Sequence, residues 1–253
     1  MNSENIPYVE KYRPKVLDDT VLDNLSRSIL ENIITMNDFP NLFFYGPPGT
    51  GKTTTIINLI EGFQKKYNGS KDKSLVIHLN ASDERGIDTI RTQINNFVLA
   101  KSLFRIGTKF VILDEVDYMT KNAQQALKYL LENNNNNNIR FCLICNYISK
   151  IDNGLQNEFI KIRFNDLPKE MIIDKLKYIS KKEELNLSYE SLEKVQKLYK
   201  SDMRSMINFI QMCVQSNLKL EEEINIINDK ICEDFEEKII GDKLIESKYL
   251  YDI

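Results

Sequence analysis

Leu42-Phe-Phe-Tyr-Gly-Pro-Pro-Gly-Thr-Gly-Lys-Thr53 decides how this chain is read. Leu42 to Tyr45 form a short apolar run, which suits a strand buried on both faces. Gly46, Pro47, Pro48, Gly49, Thr50, Gly51, Lys52 and Thr53 then match G-x-x-x-x-G-K-[ST] in full. A helical pattern follows from residue 52 to 66. The strand, loop and helix order is the context the motif needs. Glycines let the backbone wrap closely round phosphates. The loop amides and the helix start face negative charge. Lys52 reaches the β and γ phosphates as a point charge, and the Thr53 hydroxyl is a candidate ligand for Mg²⁺.

Working outward, Phe110-Val-Ile-Leu-Asp114-Glu115 supplies the acidic partner such a loop requires. Asp114 closes a buried strand, where it can hold Mg²⁺. Glu115 is placed to act as base or orienter for an attacking water. Asn146 ends the next strand and is a candidate to orient water beside the γ phosphate, with a strand-end cap as the plainer alternative. Arg204 opens a predicted helix further on, from which it could reach phosphate; an ordinary surface arginine is the plainer alternative there. His78, the only histidine, falls in an apolar strand pattern and is read as structural. Cys142 and Cys145 resemble a CxxC, but inside a strand residues three apart point to opposite faces, which suits shared metal ligation badly. Buried, reduced thiols are expected.

Strand candidates at 42–45, 75–79, 110–114, 140–145 and 160–164 alternate with helical patterns at 26–37, 52–66, 87–104 and 120–132. That alternation predicts an α/β fold with a mostly parallel sheet covered on both faces. The pattern changes at Asn165-Asp-Leu-Pro168. Beyond it lie only helical patterns, near 169–182, 189–199 and 203–217, with Pro168 suited to a first helical turn. The expected division is a nucleotide-binding α/β domain over residues 1–165, a small all-helical lid over 166–220 and an acidic tail over 221–253. Six asparagines from Asn133 to Asn138 read as a low-complexity loop.

The 253 residues carry a formal charge of -3, split unevenly. Residues 1–220 hold 30 basic and 26 acidic side chains; residues 221–253 hold 4 and 11. A weakly basic body can meet a polyanion, whereas the tail cannot do so unaided. Hydrophobic residues make up 42 %, enough for a sizeable core. No run approaches the length of a membrane-spanning helix, and the polar start is unlike a secretory leader.

Several longer stretches resemble the small subunits of replication factor C, the sliding-clamp loader among the AAA+ ATPases. They are Val9-Glu-Lys-Tyr-Arg-Pro14, Asn80 to Asp88, Ile112 to Thr120, Arg140 to Lys150 and Asp202-Met-Arg204. The resemblance runs from about Tyr8 to Gln215. It implies that Val9, Arg13 and Val21 form the adenine-side pocket, and that Gly46 to Thr54 hold the phosphates. It makes Asp114 and Glu115 the Walker B pair, Asn146 sensor 1 and Arg204 sensor 2. It further implies ATP and Mg²⁺ as cofactors. The partners it implies are sister subunits in a hetero-pentamer, a sliding clamp and primer–template DNA, with no membrane. The expected location is intracellular: the nucleus in a eukaryotic source, or a viral replication compartment. Candidate DNA contacts are Arg85, Arg91, Lys121 and Lys150.

The sequence departs from that family in two places. The family has Ser-Arg-Cys where this chain has Asn157-Glu158-Phe159, so Glu158 stands at the position of the arginine that acts across the subunit interface. A carboxylate cannot offset charge on a transferring phosphoryl group. The family also continues into a helical collar, of which residues 221–253 would be a start or remnant. Three readings follow: a clamp-loader ATPase, a nucleotide-binding scaffold with little turnover, or an AAA+ branch-migration motor. The Ala81–Asp88 and Arg140–Lys150 stretches count against the motor.

Overall fold

A computed structural model describes residues 6–82, 87–99, 107–134, 138–185 and 187–215. The chain divides into two compact units, one of Tyr12–Ile172 with Ser201–Met203, the other of Met1–Lys11, Ile173–Lys200 and Arg204–Ile253.

In the larger unit, β1 (Leu42–Tyr45), β2 (Val76–Asn80), β3 (Lys109–Asp114), β4 (Ile139–Cys145) and β5 (Ile160–Arg163) form one sheet in the order β2-β3-β4-β1-β5. Every ladder is parallel. The five strands are those expected from the sequence, with ends moved by at most one residue. β2 shifts most plainly: Leu75 belongs to a 3₁₀ turn whose cap, Asp72, accepts from the Ser74 amide at 3.0 Å, and the strand runs on to Asn80.

Because side chains alternate across a strand, one sheet feeds two cores. Phe43, Val111, Leu113 and Leu143 point into one. Leu42, Phe44, Phe110, Ile112 and Ile144 point into the other. The first is covered by α4 (Ile87–Leu99), α5 (Lys121–Asn134) and α6 (Asn153–Gln156), through Ile94, Leu127, Leu131 and Leu155. The second is covered by α2 (Asn24–Met36) and α3 (Lys52–Asn68), through Leu30, Ile33, Ile56, Leu59 and Phe63. Phe39 joins that side edge-on, its ring centroid 4.8 Å from Phe110 and 5.3 Å from Phe63. Cys142 and Cys145 fall into different cores, on opposite faces of the sheet. Burial pushes both thiols up, and with the nearby Asp117 carboxylate it takes Cys145 to about 12.

The smaller unit is helical. α7 (Lys169–Lys182) starts within the larger unit and continues into this one, followed by α8 (Tyr189–Tyr199) and α9 (Met203–Gln215). Ile173, Leu176, Ile179, Leu192, Val195, Met206, Phe209 and Ile210 are among its buried side chains. Ser188 caps α8 by accepting from the Ser191 amide at 3.1 Å. Pro168 stands one residue ahead of α7, and its carbonyl accepts from the Ile172 amide at 3.1 Å. A short helix that the sequence pattern does not show, α1 (Tyr8–Lys11), belongs with these helices. The Tyr8 amide donates to Gln211 Oε1 at 2.8 Å, and Lys11 pairs with Glu183 at 2.5 Å. The end of the 87–104 helix, the middle of the asparagine run, Cys232 and the acidic tail lie outside the described residues. No helix among the described residues is long and apolar enough to cross a membrane.

Candidate nucleotide site

The site forms at the C-terminal ends of β1, β3 and β4, where a doubly covered parallel sheet leaves a crevice. Gly46 leaves β1 at φ +146°, and a Cβ there would lie 2.1 Å from the Phe164 carbonyl oxygen, so the position needs glycine on both counts. Gly49 and Gly51 also have positive φ, +71° and +88°. Thr50 Oγ1 donates to the Pro47 carbonyl at 2.9 Å and Thr55 Oγ1 to the Gly51 carbonyl at 2.9 Å, bracing the loop. Pro47 and Pro48 face outward. Gly51 precedes α3 without a capping side chain, so the first helical amides can meet an anion.

Lys52 is only 7 % exposed. Its ammonium donates to the carbonyls of Gly46 and Pro47, at 2.9 and 2.7 Å, and to Asn146 Oδ1 at 2.9 Å. A buried ammonium needs such partners. Asn146 is thereby more than a strand-end cap: it ties the end of β4 to the phosphate-loop lysine.

Next to it, Thr53 Oγ1 donates to Asp114 Oδ2 at 2.7 Å. Burial alone would raise the Asp114 carboxyl. The neighbouring His78 imidazole, with hydrogen bonds from Thr53 and the Glu115 amide, outweighs it and holds the carboxyl below its ordinary value. His78 Nε2 lies 3.7 Å from Asp114 Oδ2. The hydroxyl of Thr53 and the carboxylate of Asp114 are the hard oxygen donors that Mg²⁺ prefers, so these residues fit that ion. Glu115 sits in the left-handed region at φ +56°, ψ +37°, with its amide bonded to Asp114 Oδ1 at 2.9 Å. A non-glycine residue held there costs of order 1–3 kcal/mol, and such strain clusters at functional sites. Behind it Asp117 is buried, and its Oδ1 has no hydrogen-bond partner.

Of the other expected residues, Arg13 Nε donates to Thr54 Oγ1 at 3.2 Å, which brings it onto the first turn of α3. Val21 is half-buried in the larger unit, just ahead of α2. Val9, on α1, and Arg204, exposed in the first turn of α9, belong to the smaller unit. Lys121 and Lys150 are exposed. Arg85 and the Arg91 side chain lie outside the described residues. Glu158 is half-buried, beside the core residue Phe159.

Two residues lie near the site that the sequence pattern did not place there. His78 reads as structural in one dimension, because its approach to Asp114 is made across two paired strands. Asp202 packs against the phosphate loop: a Cβ on Gly49 would lie 1.9 Å from its Oδ1. Nothing local to residue 202 signals that approach.

Residues 42–167 match the family described as ATPase family associated with various cellular activities (AAA). The chain is 40 % identical over 219 residues to replication factor C subunit 5 of Homo sapiens, covering 87 % of this chain and 63 % of that one. It is 41 % identical to replication factor C subunit 3 of Schizosaccharomyces pombe, covering 84 % and 60 %. It is 39 % identical to replication factor C small subunit 2 of Pyrobaculum islandicum, covering 86 % and 66 %. The chain thus spans roughly three-fifths to two-thirds of the length of these relatives. Among solved structures, the Thermotoga maritima RuvB Holliday junction branch migration motor matches with a TM-score of 0.66 at 13 % identity, over 87 % of this chain and 72 % of that one. At that identity the likeness shows the fold alone. The sequence relatives carry the likeness further: over more than four-fifths of its length this chain is similar to replication factor C subunits, and over residues 42–167 to the AAA ATPase family.

Proposed function

We propose that this chain is an ATPase subunit of a sliding-clamp loader, acting with sister subunits on a clamp and primer–template DNA. The observation that carries the reading is the closed set of contacts at the strand ends, Lys52 to Asn146 and Thr53 to Asp114, in a chain with about 40 % identity to replication factor C subunits. The proposed organisation keeps the nucleotide-binding domain (1–165), the helical lid (166–220) and the acidic tail (221–253). The proposed setting is the site of DNA replication, which in a eukaryotic cell is the nucleus.

In this reading ATP enters over Gly46–Thr54. The loop amides and the Lys52 ammonium take the phosphate charge, with Lys52 exchanging its carbonyl partners for phosphate oxygens. Thr53 and Asp114 would hold Mg²⁺, which would supply positive charge to offset that of the phosphates. Glu115 accepts a proton from the attacking water, and Asn146 orients that water. Val9, Arg13 and Val21 are assigned to the adenine side, and Arg204 to sensing phosphate from the lid. Lys121 and Lys150, with Arg85 and Arg91, are assigned to phosphates of the DNA backbone, which position a duplex without reading sequence.

Glu158 favours one refinement. With a carboxylate at the arginine-finger position, this subunit supplies no cation to a neighbour's site, while its own site can receive one. A scaffold subunit without turnover is the second reading, and Glu115→Gln separates the two. With sister subunits, clamp and DNA present, the variant retains ATP binding and loses turnover at this site by about 10²- to 10⁴-fold if Glu115 is the base. Turnover equal to that of the unaltered assembly contradicts catalysis here.

A further inference from the structure

Two exposed tyrosines flank the site. Tyr118 follows Glu115 by one 3₁₀ turn, and Tyr147 follows Asn146 directly. Their residues are 64 % and 60 % exposed. Neither is loose decoration. The Lys150 ammonium lies 5.5 Å from the Tyr118 ring centroid and 5.1 Å from that of Tyr147, so one cation is held against two rings.

The backbone builds this arrangement. The Lys150 amide donates to the Tyr147 carbonyl at 3.2 Å, closing a turn that brings the lysine back over Tyr147. The buried Gln124 then joins the two turns. Its Nε2 donates to the carbonyls of Met119 and Lys150, each at 3.1 Å, and its Oε1 accepts from the Asp152 amide at 2.8 Å. The Tyr118 turn and the Tyr147–Lys150 turn are thereby fixed side by side.

We propose that Tyr118 and Tyr147 are positioning residues that hold Lys150 as a pre-organised contact for a nucleic-acid phosphate. This rests on the assignment of Lys150 to the DNA backbone above. The chemistry favours a phosphate. A ring face attracts the ammonium without taking up its N–H donors, so all three stay available to an anion. No carboxylate lies within ion-pair distance of Lys150 or of the exposed Lys121 among the described residues. Lysine is otherwise a flexible donor that loses rotamer freedom when it binds. Two rings that fix it beforehand reduce that loss.

The test uses the full chain assembled with its sister subunits, a labelled primer–template duplex, and binding measured across a salt series. Lys150→Ala weakens binding and lowers the slope of log affinity against log salt by about one. The double variant Tyr118→Leu with Tyr147→Leu reproduces at least half of the logarithmic loss seen in Lys150→Ala. The double Tyr→Phe variant, which keeps both rings, stays within about twofold of the unaltered protein, since phenylalanine retains the ring face that attracts a cation. Equal melting temperatures establish that the variants fold. A leucine pair that binds like the unaltered protein, beside a weakened Lys150→Ala, overturns the tyrosine role and leaves the DNA assignment standing. A phenylalanine pair as weak as the leucine pair also overturns it, by moving the effect to the hydroxyls. A Lys150→Ala protein with unchanged affinity and slope overturns the DNA assignment itself. Binding of poly-glutamate with the same variant pattern, and none of DNA, overturns it in favour of an acidic protein partner.

Discussion

Phe43 and Lys52 are both buried, for opposite reasons. Phe43, in β1, is fully enclosed by one of the two cores, and its burial stabilises the fold. Lys52, nine residues on, is enclosed by two loop carbonyls and Asn146, and its burial holds a charge at the proposed phosphate site. The interior of the sheet and its C-terminal rim differ in the same way throughout. The interior is apolar, regular and alternates between two faces. The rim carries three glycines at positive φ, a glutamate in the left-handed region and a carboxyl held below its ordinary value. The five strands thus provide stability along their length and chemistry only where they end.

Substitutions on the two sides should therefore separate stability from nucleotide binding. The largest loss of stability is expected inside. Phe110→Ala removes a fully buried ring and should cost about 3–5 kcal/mol by denaturant unfolding, with ATP affinity unchanged in the fraction that remains folded. A larger fall in affinity of that folded fraction would break the comparison. Gly46→Ala probes the junction of the two regions. Its backbone conformation alone should cost about 1–3 kcal/mol, the Phe164 carbonyl must move, and both the melting temperature and ATP affinity should fall. Ser188→Ala, in the helical unit far from the phosphate loop in sequence, should cost about 1 kcal/mol and leave ATP affinity intact.

The smallest effect is a pH dependence at the rim. The folded Asp114 carboxyl is depressed, so its contribution to stability is fully present above the ordinary value of 3.8 and is lost as pH falls through the lower folded value. Asp114→Asn should flatten the acid limb of a stability-versus-pH curve in that window. An acid limb as steep as in the unaltered protein would mean that other carboxyls carry it.

What could be read in one dimension follows the same division. Leu42–Tyr45, Phe110–Asp114 and Arg140–Cys145 declare the interior through runs of large apolar residues, so strands and sheet class were legible. The phosphate loop and Asp114-Glu115 were legible because their spacing is dictated by the ligand. The one-turn helices α1 and α6 were not, since four residues carry too little periodicity. Nor were the approaches of His78 to Asp114, Asp202 to Gly49 or Lys150 to Tyr118, which depend on strand neighbours or distant turns. Local patterning encodes the elements; contacts between their ends appear only after the sheet has ordered its strands.

The most direct test of this account is ATP affinity in Lys52→Ala, measured by equilibrium binding of a fluorescent ATP analogue in the presence of Mg²⁺. If the rim is a nucleotide site built around Lys52, the folded variant loses tight binding. A folded Lys52→Ala protein that binds the analogue as tightly as the unaltered chain would contradict the assignment of the site.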